Sequence, residues 1–154
     1  MTPGSYRVGL VCSGGGHLAQ MMALRRWWSI LERFWVVPDQ PDTRALLADE
    51  RVHWAHHPTT RSVGMAVRNA RLARRVLTAE RPDVLVSTGA GVAPPFLWVG
   101  RLLGIPSVFV EVYDRIDSAS LSGRLVRPVV DAVVLQWEEQ LAHYPEGVVV
   151  GPLL

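Results

Sequence analysis

Three consecutive glycines, placed between an apolar segment and a helix-forming segment, constrain the fold of this chain most. Tyr6–Val11 is a short apolar run typical of a β-strand, and Leu18–Leu24 consists of good helix formers. When a strand, a glycine turn and a helix follow one another, the free backbone N–H groups of the helix N-terminus point out of the turn. This arrangement suits a phosphate or a developing anion. The sequence therefore predicts an anion-accommodating turn over Ser13–His17. Tight-turn glycines without a ligand explain the same pattern.

The remainder of the chain repeats the alternation of strand-type and helix-type segments. Further strands are expected at 34–37, 52–55, 84–87, 105–110, 132–135 and 148–150, and helices at 18–31, 42–48 (capped by Asp42), 62–80, 94–103 and 138–143. Strands that alternate with helices about every 20–30 residues indicate a parallel sheet. We therefore predict a single α/β domain over residues 1–154, with a Rossmann-like parallel sheet and helices on both faces.

Several chemically distinctive residues fall where strands of this sheet end. A second glycine turn, with Gly89 and Gly91, follows the strand at 84–87, and Arg61 follows the strand at 52–55. Glu111 and Asp114 stand at or beyond the end of the strand at 105–110. Because ligands of open parallel sheets bind beyond the carboxyl ends of the strands, we expect one site along this edge.

The composition narrows the class of protein. Hydrophobic residues make up 49% and charged residues 19% of the 154 residues, as in a soluble globular domain, and all sixteen basic residues are arginines. The single cysteine, Cys12, rules out a disulfide framework and is expected to be a buried structural thiol. The pair His56-His57 has no third ligand nearby, so no metal site is expected. We also expect no cofactor and no nucleic-acid partner.

Neither a signal peptide nor a membrane span is expected. The longest uncharged run, residues 84–100, contains three glycines and the pair Pro94-Pro95. A span needs roughly 20 apolar residues in continuous helix, so this run is interpreted as strand, loop and helix.

A dinucleotide site is one interpretation of the first glycine turn. Gly14-x-Gly16-x-x-Ala19 fits the loose fingerprint, and Asp39 lies about 20 residues further on, where an acid that binds the ribose would stand. Asp39, however, follows a proline, and the sheet uses the whole chain, which leaves no substrate domain. A non-catalytic scaffold is a further alternative.

Several blocks resemble the asparagine-linked glycosylation fourteen family and its bacterial exopolysaccharide relatives of PssD type. They are Ser13–His17, Arg61–Gly64, Val110–Ile116, Ser118–Leu125, Val134–Gln140, Tyr144-Pro145 and Gly151–Leu154. This resemblance implies the N-terminal, acceptor-side half of a split MurG-like GT-B glycosyltransferase. It implies a partner subunit that carries the UDP-sugar site, and an acceptor linked to polyprenyl pyrophosphate. The chain would be almost inactive alone.

The resemblance and the chemistry together suggest roles for the edge residues. An inverting transfer needs a base for the acceptor hydroxyl and a cradle for pyrophosphate charge. His17 and Glu111 are the two candidate bases, and which of them acts is left open. The acceptor and its phosphates are expected to contact Ser13, Gly14, Gly15, Gly16, Arg61, Gly89, Gly91 and Asp114.

Two surfaces are expected to make macromolecular contacts. The C-terminal segment is expected to bind the catalytic partner through Gln136, Trp137, Tyr144, Leu153 and Leu154, since a one-chain GT-B enzyme would continue into its second domain from this point. The second surface is expected to meet anionic membrane, at the cytoplasmic face and peripherally, through Trp27, Trp28, Phe96, Leu97 and Trp98 with nearby arginines. Core-facing tryptophans remain the alternative.

Overall fold

The computed structural model describes residues 6–58 and 62–154. Its strands are β1 Arg7–Cys12, β2 Glu32–Pro38, β3 Val52–Ala55, β4 Val84–Gly89, β5 Ser107–Val110, β6 Ala132–Leu135 and β7 Val148–Val149. Its helices are α1 Gly16–Ala23, α2 Arg25–Trp28, α3 Pro41–Leu46, α4 Val63–Glu80, α5 Ala93–Leu102 and α6 Leu121–Val126, with a 3₁₀-helix at Glu138–Ala142. The seven strands form one sheet in the order β3-β2-β1-β4-β5-β6-β7, and every neighbouring pair is parallel. The predicted Rossmann-like α/β fold is confirmed.

Each face of the sheet has its own apolar core. Leu10 of β1 packs with Leu18 of α1 on one face, and Val11 packs with residues of α4 and α5 on the other. Successive side chains of a strand point to opposite faces, so the central strand β1 serves both cores. This double burial explains why the strands read as continuous apolar runs in the sequence.

The long first helix expected at 18–31 is wrong. The chain forms α1 and then the single-turn α2, separated at Leu24. The Trp28 indole N–H donates to the Met21 carbonyl (2.8 Å), and Trp28 packs edge-on against Trp35 with ring centroids 5.2 Å apart. The tryptophan therefore bonds a carbonyl near the end of α1 and folds back on the sheet, a tertiary effect that helix propensity does not contain.

The start of α3 also differs from the prediction. Gln40, not Asp42, is the N-cap residue, and Pro41 occupies the first helical turn. The carboxylate of Asp42 points instead to the first glycine turn, where it accepts the Gly15 N–H at 3.3 Å. Helix α4 begins and ends as expected: the Ser62 hydroxyl caps it by accepting the Met65 N–H, and Arg81 ends it in the left-handed conformation.

Cys12 is buried and structural, as expected. Its side chain has no exposed surface, and burial raises the pKa of the thiol to about 12. A thiol with such a pKa stays protonated at neutral pH, so it is a poor nucleophile.

The expected membrane-facing aromatic set is only partly on the surface. Trp28, Phe96 and Leu97 are buried, which corrects the prediction for these three residues, whereas Trp27 is 41% and Trp98 46% exposed. Over residues 6–58 and 62–154, no helix has both the length and the apolar character that crossing a bilayer requires.

The close packing around β1 makes a testable prediction. Gly9→Ala should lower the free energy of unfolding by about 1–3 kcal/mol, because the new Cβ would lie 2.6 Å from Leu85 Cδ2 and 2.7 Å from Phe34 Cζ. Gly64→Ala on α4 is the matched control, since nothing lies within 4 Å of its Cβ. We expect it to be neutral or to stabilise by roughly 0.5 kcal/mol. Urea denaturation measures both; equal stability of Gly9→Ala and the wild type would contradict the prediction.

Candidate functional site

The two glycine turns meet at the carboxyl edge of the sheet. The first turn joins β1 to α1, and the second joins β4 to α5. Ser13 N–H donates to the Gly89 carbonyl at 3.4 Å, which links the turns directly. Gly15 (φ 62°) and Gly89 (φ 105°) adopt backbone conformations that side chains disfavour, so glycine is required at both.

His17, the second residue of α1, is fixed by the end of β4. Its Nδ1 lies 2.8 Å from the Thr88 carbonyl oxygen, and the Thr88 hydroxyl donates back to the His17 carbonyl at 2.6 Å. A carbonyl oxygen only accepts hydrogen bonds, so Nδ1 carries the proton in this contact. In the neutral ring Nε2 is then left as an acceptor, which is the state a general base needs.

A cavity of about 540 Å³ opens beside His17. Its walls are largely apolar, and its polar lining includes Asp114, Arg115 and Ser122. The residues that supply the apolar walls are Val63, Ala66, Pro94, Pro95, Val112, Leu121 and Leu125. Gly91 also lines this cavity. The structure therefore brings His17, Gly91 and Asp114 together, as the shared sheet edge predicted.

Ser13 and Gly14 face a different, smaller cavity of about 270 Å³. It lies on the other side of Ala90, which lines both cavities, and its lining includes Gln40 and His57. A Cβ on Gly14 would lie 2.8 Å from Gln40 Oε1 and 2.9 Å from Asp42 Oδ2. Helix α3 thus approaches the first turn closely.

This approach changes what the first turn can bind. The Asp42 carboxylate already accepts the Gly15 N–H, and it would repel an anion at that position. Gly16 faces open space, and Gly89 lies behind the His17 ring. The roles of these residues toward phosphate remain predictions, and Arg61 lies outside the described residues.

Glu111, the second candidate base, is completely buried. Its Oε2 accepts hydrogen bonds from Ser120 N–H (3.0 Å), the Ser120 hydroxyl (3.1 Å) and the Tyr144 hydroxyl (2.5 Å). Its Oε1 accepts the Val112 N–H at 2.9 Å. Glu111 does not line the cavity and its carboxylate is hydrogen-bonded within the protein, so of the two candidate bases only His17 borders the cavity.

Glu111 instead closes the segment between β5 and α6. The segment carries Asp114 and Arg115, and its two ends meet on the one carboxylate. Gly123 is needed here because a Cβ would overlap the Tyr144 hydroxyl and lie 2.7 Å from Glu111 Oε2. Burial, and then the hydrogen bond to Glu111, raise the pKa of Tyr144 well above its ordinary value, so its hydroxyl remains a donor.

The expected partner-binding residues divide into two groups. Gln136 and Tyr144 are each only 1% exposed, which corrects the prediction that they contact a partner directly. Trp137 is half-buried and its indole N–H donates to the Tyr113 carbonyl at 2.7 Å. Leu153 is half-buried, and Leu154 is exposed.

Asp39, the acid that the dinucleotide interpretation assigns to ribose binding, is already hydrogen-bonded within the protein. Both carboxylate oxygens of Asp39 accept hydrogen bonds from the Arg44 guanidinium, which lowers the pKa of Asp39. Among residues 6–58 and 62–154, no three His, Cys, Asp or Glu side chains cluster in a way that could hold a metal ion.

Several residues that shape the site carried no clear signal in the sequence. Thr88 fixes the histidine tautomer, Asp42 occupies the first turn, and Arg115 places a cation in the cavity lining. Helix α6, which supplies Leu121 and Leu125, was not predicted. Ser120, whose hydroxyl accepts the Gly123 N–H, was its detectable start signal.

Comparison with known proteins gives related results from sequence and from structure. The chain is 31% identical over 80 residues to the UDP-N-acetylglucosamine transferase subunit ALG14 of Mus musculus, which covers 48% of this chain and 37% of that protein. It is 37% identical over 92 residues to the subunit of the same name from Eremothecium gossypii, with 56% of this chain and 41% of that protein covered. The chain thus matches less than half the length of either relative.

The fold is similar to that of MurG from Acinetobacter baumannii. The two structures superpose with a TM-score of 0.73 at 18% identity, over 87% of this chain and 42% of that one. At this identity the likeness concerns the fold alone, and it supports the GT-B half implied by the motifs. A family model described as "Oligosaccharide biosynthesis protein Alg14 like" matches residues 43–153. Because this match spans most of the chain, the protein belongs to the Alg14-like family of oligosaccharide biosynthesis proteins.

Proposed function

We propose that this protein is the acceptor-side subunit of a two-component glycosyltransferase that transfers N-acetylglucosamine or a related sugar from a UDP-sugar to a lipid-linked saccharide. The observation that carries the proposal is His17, whose Nε2 is left as an acceptor at the edge of a cavity with apolar walls. The names of the ALG14 relatives support the donor class. On this proposal the chain alone is almost inactive, because the partner holds the UDP-sugar.

The proposed chemistry is a single inverting displacement. The acceptor hydroxyl oxygen forms a bond to the anomeric carbon of the sugar, and the bond from that carbon to the phosphate oxygen of UDP breaks. UDP leaves with the electron pair, and His17 Nε2 takes the hydroxyl proton. The Thr88 carbonyl holds Nδ1–H, so the ring needs no change of tautomer before it accepts the proton.

The cavity suits an acceptor with a charged head and an apolar tail. Arg115 offers positive charge to a pyrophosphate, and the N-terminus of α5, just after Gly91, offers its helix dipole. Val63, Leu121 and Leu125 line the cavity yet are 81%, 63% and 48% exposed, so they form an apolar rim that a polyprenyl chain would cover.

We propose peripheral membrane attachment at the cytoplasmic face through this same rim. Trp98, 46% exposed, joins the rim by donating its indole N–H to the Leu125 carbonyl. Arg68, Arg71, Arg74 and Arg75 are all exposed on α4, the helix that supplies Val63 and Ala66 to the cavity. Cations beside exposed apolar side chains are typical of surfaces that bind anionic lipid.

We further propose that the catalytic partner binds along β7 and the residues that follow it. This strand is at the edge of the sheet that residues 6–58 and 62–154 form, where it pairs with β6 alone. Val148, Val150 and Leu154 are 57%, 56% and 63% exposed. An apolar sheet edge of this kind is a site for association with another chain.

His17→Asn should lower kcat of the transferase reconstituted with its partner by about 100-fold or more, typical of the loss of a general base. The asparagine amide can still donate to the Thr88 carbonyl, but it has no atom equivalent to Nε2, so the variant separates catalysis from support of the turn. His143→Asn is the matched control and should stay within about twofold of the wild type. Activity of His17→Asn equal to that of the control would assign this subunit to scaffolding.

Leu121→Ser combined with Leu125→Ser should raise KM for a long-chain polyprenyl acceptor about tenfold and leave KM for a short-chain analogue within about twofold, because only the long tail reaches the rim. The same variant should float less with liposomes that contain anionic lipid. Leu102→Ser, at an 81% exposed position outside the cavity lining, is the control. Equal losses with both acceptors would contradict tail binding, and unchanged flotation would contradict membrane contact through the rim.

Val150→Glu combined with Leu154→Glu should abolish co-purification with the proposed donor-site subunit when the two chains are co-expressed. Both positions are exposed, so Tm should change little, while a charge buried in the interface opposes binding. Leu102→Glu again serves as the control. If the double variant keeps full binding, the partner docks elsewhere.

A further inference from the structure

Gln136 is a buried amide at the end of β6, and an apolar side chain would be the ordinary choice at this depth. It is 1% exposed, although it is one of the residues expected from the sequence to contact a partner. A buried amide costs free energy unless its donors and acceptor are all paired. The groups that pair with it therefore show which parts of the structure it holds together.

The Gln136 side chain joins three separate segments. Its Nε2 donates to Gln20 Oε1 on α1 (2.5 Å) and to the Glu111 carbonyl after β5 (2.9 Å). Its Oε1 accepts the Leu153 N–H at 2.9 Å. Both N–H groups and the oxygen are used. The amide is planar, so a shift of the oxygen toward or away from Leu153 also shifts the nitrogen.

Gln20 carries the connection into the candidate site. It is 2% exposed and lies three residues after His17 on the same helix. Besides the Gln136 amide, its Oε1 accepts the Tyr113 N–H at 3.3 Å, immediately before Asp114 and Arg115. The two glutamines thus link the helix of His17 to the segment that supplies the polar lining of the cavity.

At the other end of the connection lies the C-terminal segment, residues 150–154. Val150 N–H donates to the Leu135 carbonyl, and Leu153 N–H donates to Gln136. The Leu153 side chain packs against the core that contains Leu18 and Met21 of α1. Val150 and Leu154 in this segment remain exposed and open to contact.

We propose that Gln136 is a positioning residue that transmits the placement of the C-terminal segment, through Gln20, to the helix of His17 and to the Tyr113–Arg115 wall of the cavity. A partner bound to the C-terminal segment would then align the acceptor site without touching it. This consequence rests on the proposed function, whereas the hydrogen-bonded connection is a property of this chain alone.

Amide hydrogen exchange in the full chain, followed by NMR, tests the connection without any activity assay. The probe is the Tyr113 N–H, and the reference is the His56 N–H, which donates to the buried Asn69 amide (2.8 Å) beyond β3 at the opposite edge of the sheet. The ratio of the Tyr113 rate to the His56 rate distinguishes a local change at Tyr113 from a change shared by both parts of the sheet. Gln136→Leu should raise this ratio about fivefold, the effect of one lost hydrogen bond.

The decisive comparison uses Leu153. Leu153→Pro removes the N–H donor and the side chain, whereas Leu153→Ala removes only the side chain. We expect Leu153→Pro to raise the exchange ratio about twofold or more above that of Leu153→Ala. In the Gln136→Leu background the two should give the same ratio, because the connection is already broken. Equal ratios in the wild-type background, or a difference that persists without Gln136, would overturn the proposal.

The catalytic consequence has a separate readout. In the reconstituted transferase, Gln136→Leu should lower kcat about tenfold and leave KM for the UDP-sugar unchanged, since the donor is held by the partner. Asn69→Leu, which also removes a buried amide with backbone partners, should leave both constants within about twofold. The hydrogen-exchange results with the Leu153 and Gln136 variants can agree with the proposal while the wild-type pair shows no sugar transfer. In that case the proposed function is wrong, and the hydrogen-bonded connection is still supported. Equal kcat losses for the two variants would show that Gln136 contributes only stability.

Discussion

The buried carboxylate of Glu111 is the interaction on which the candidate site depends. It gathers the Val112 and Ser120 N–H groups, the Ser120 hydroxyl and the Tyr144 hydroxyl around one charge. A buried carboxylate is tolerated only when it is fully hydrogen-bonded, so these partners are obligatory and fix the segment between β5 and α6. Because that segment and α6 form one wall of the cavity, a residue outside the cavity decides its shape.

The opposite wall of the cavity depends on two hydrogen bonds between His17 and Thr88. Thr88 and His17 bond each other through a backbone carbonyl and a side chain in both directions, which joins the two glycine turns and orients the imidazole ring. This pair of hydrogen bonds thus fixes both the position of the His17 ring and its tautomer. Gly15 and Gly89 supply backbone conformations with positive φ, Gly14 lets α3 approach the first turn, and Asp42 already occupies an N–H of that turn.

The described part of the chain combines a seven-stranded sheet with a cavity at its edge. Each face of this sheet has an apolar core, and the chain matches only part of the MurG and ALG14 proteins. The exposed apolar side chains include those around the cavity and those along β7 with the residues after it. These are the two directions from which we propose that a lipid acceptor and a second subunit complete the site.

The sequence alone determined the alternation of strands and helices, the parallel sheet, the two glycine turns, the position of His17 at the edge and the family. These features follow from local periodicity and from short motifs, which are contiguous in the chain. Only the tertiary structure showed that His17 lines the cavity whereas Glu111 is buried and hydrogen-bonded by residues as distant as Tyr144. It also moved Trp28, Phe96, Gln136 and Tyr144 from expected surfaces into the interior, because the face a side chain presents depends on which segments pack against it. Contacts between distant segments have no periodicity in the sequence, and for that physical reason only the folded chain revealed them.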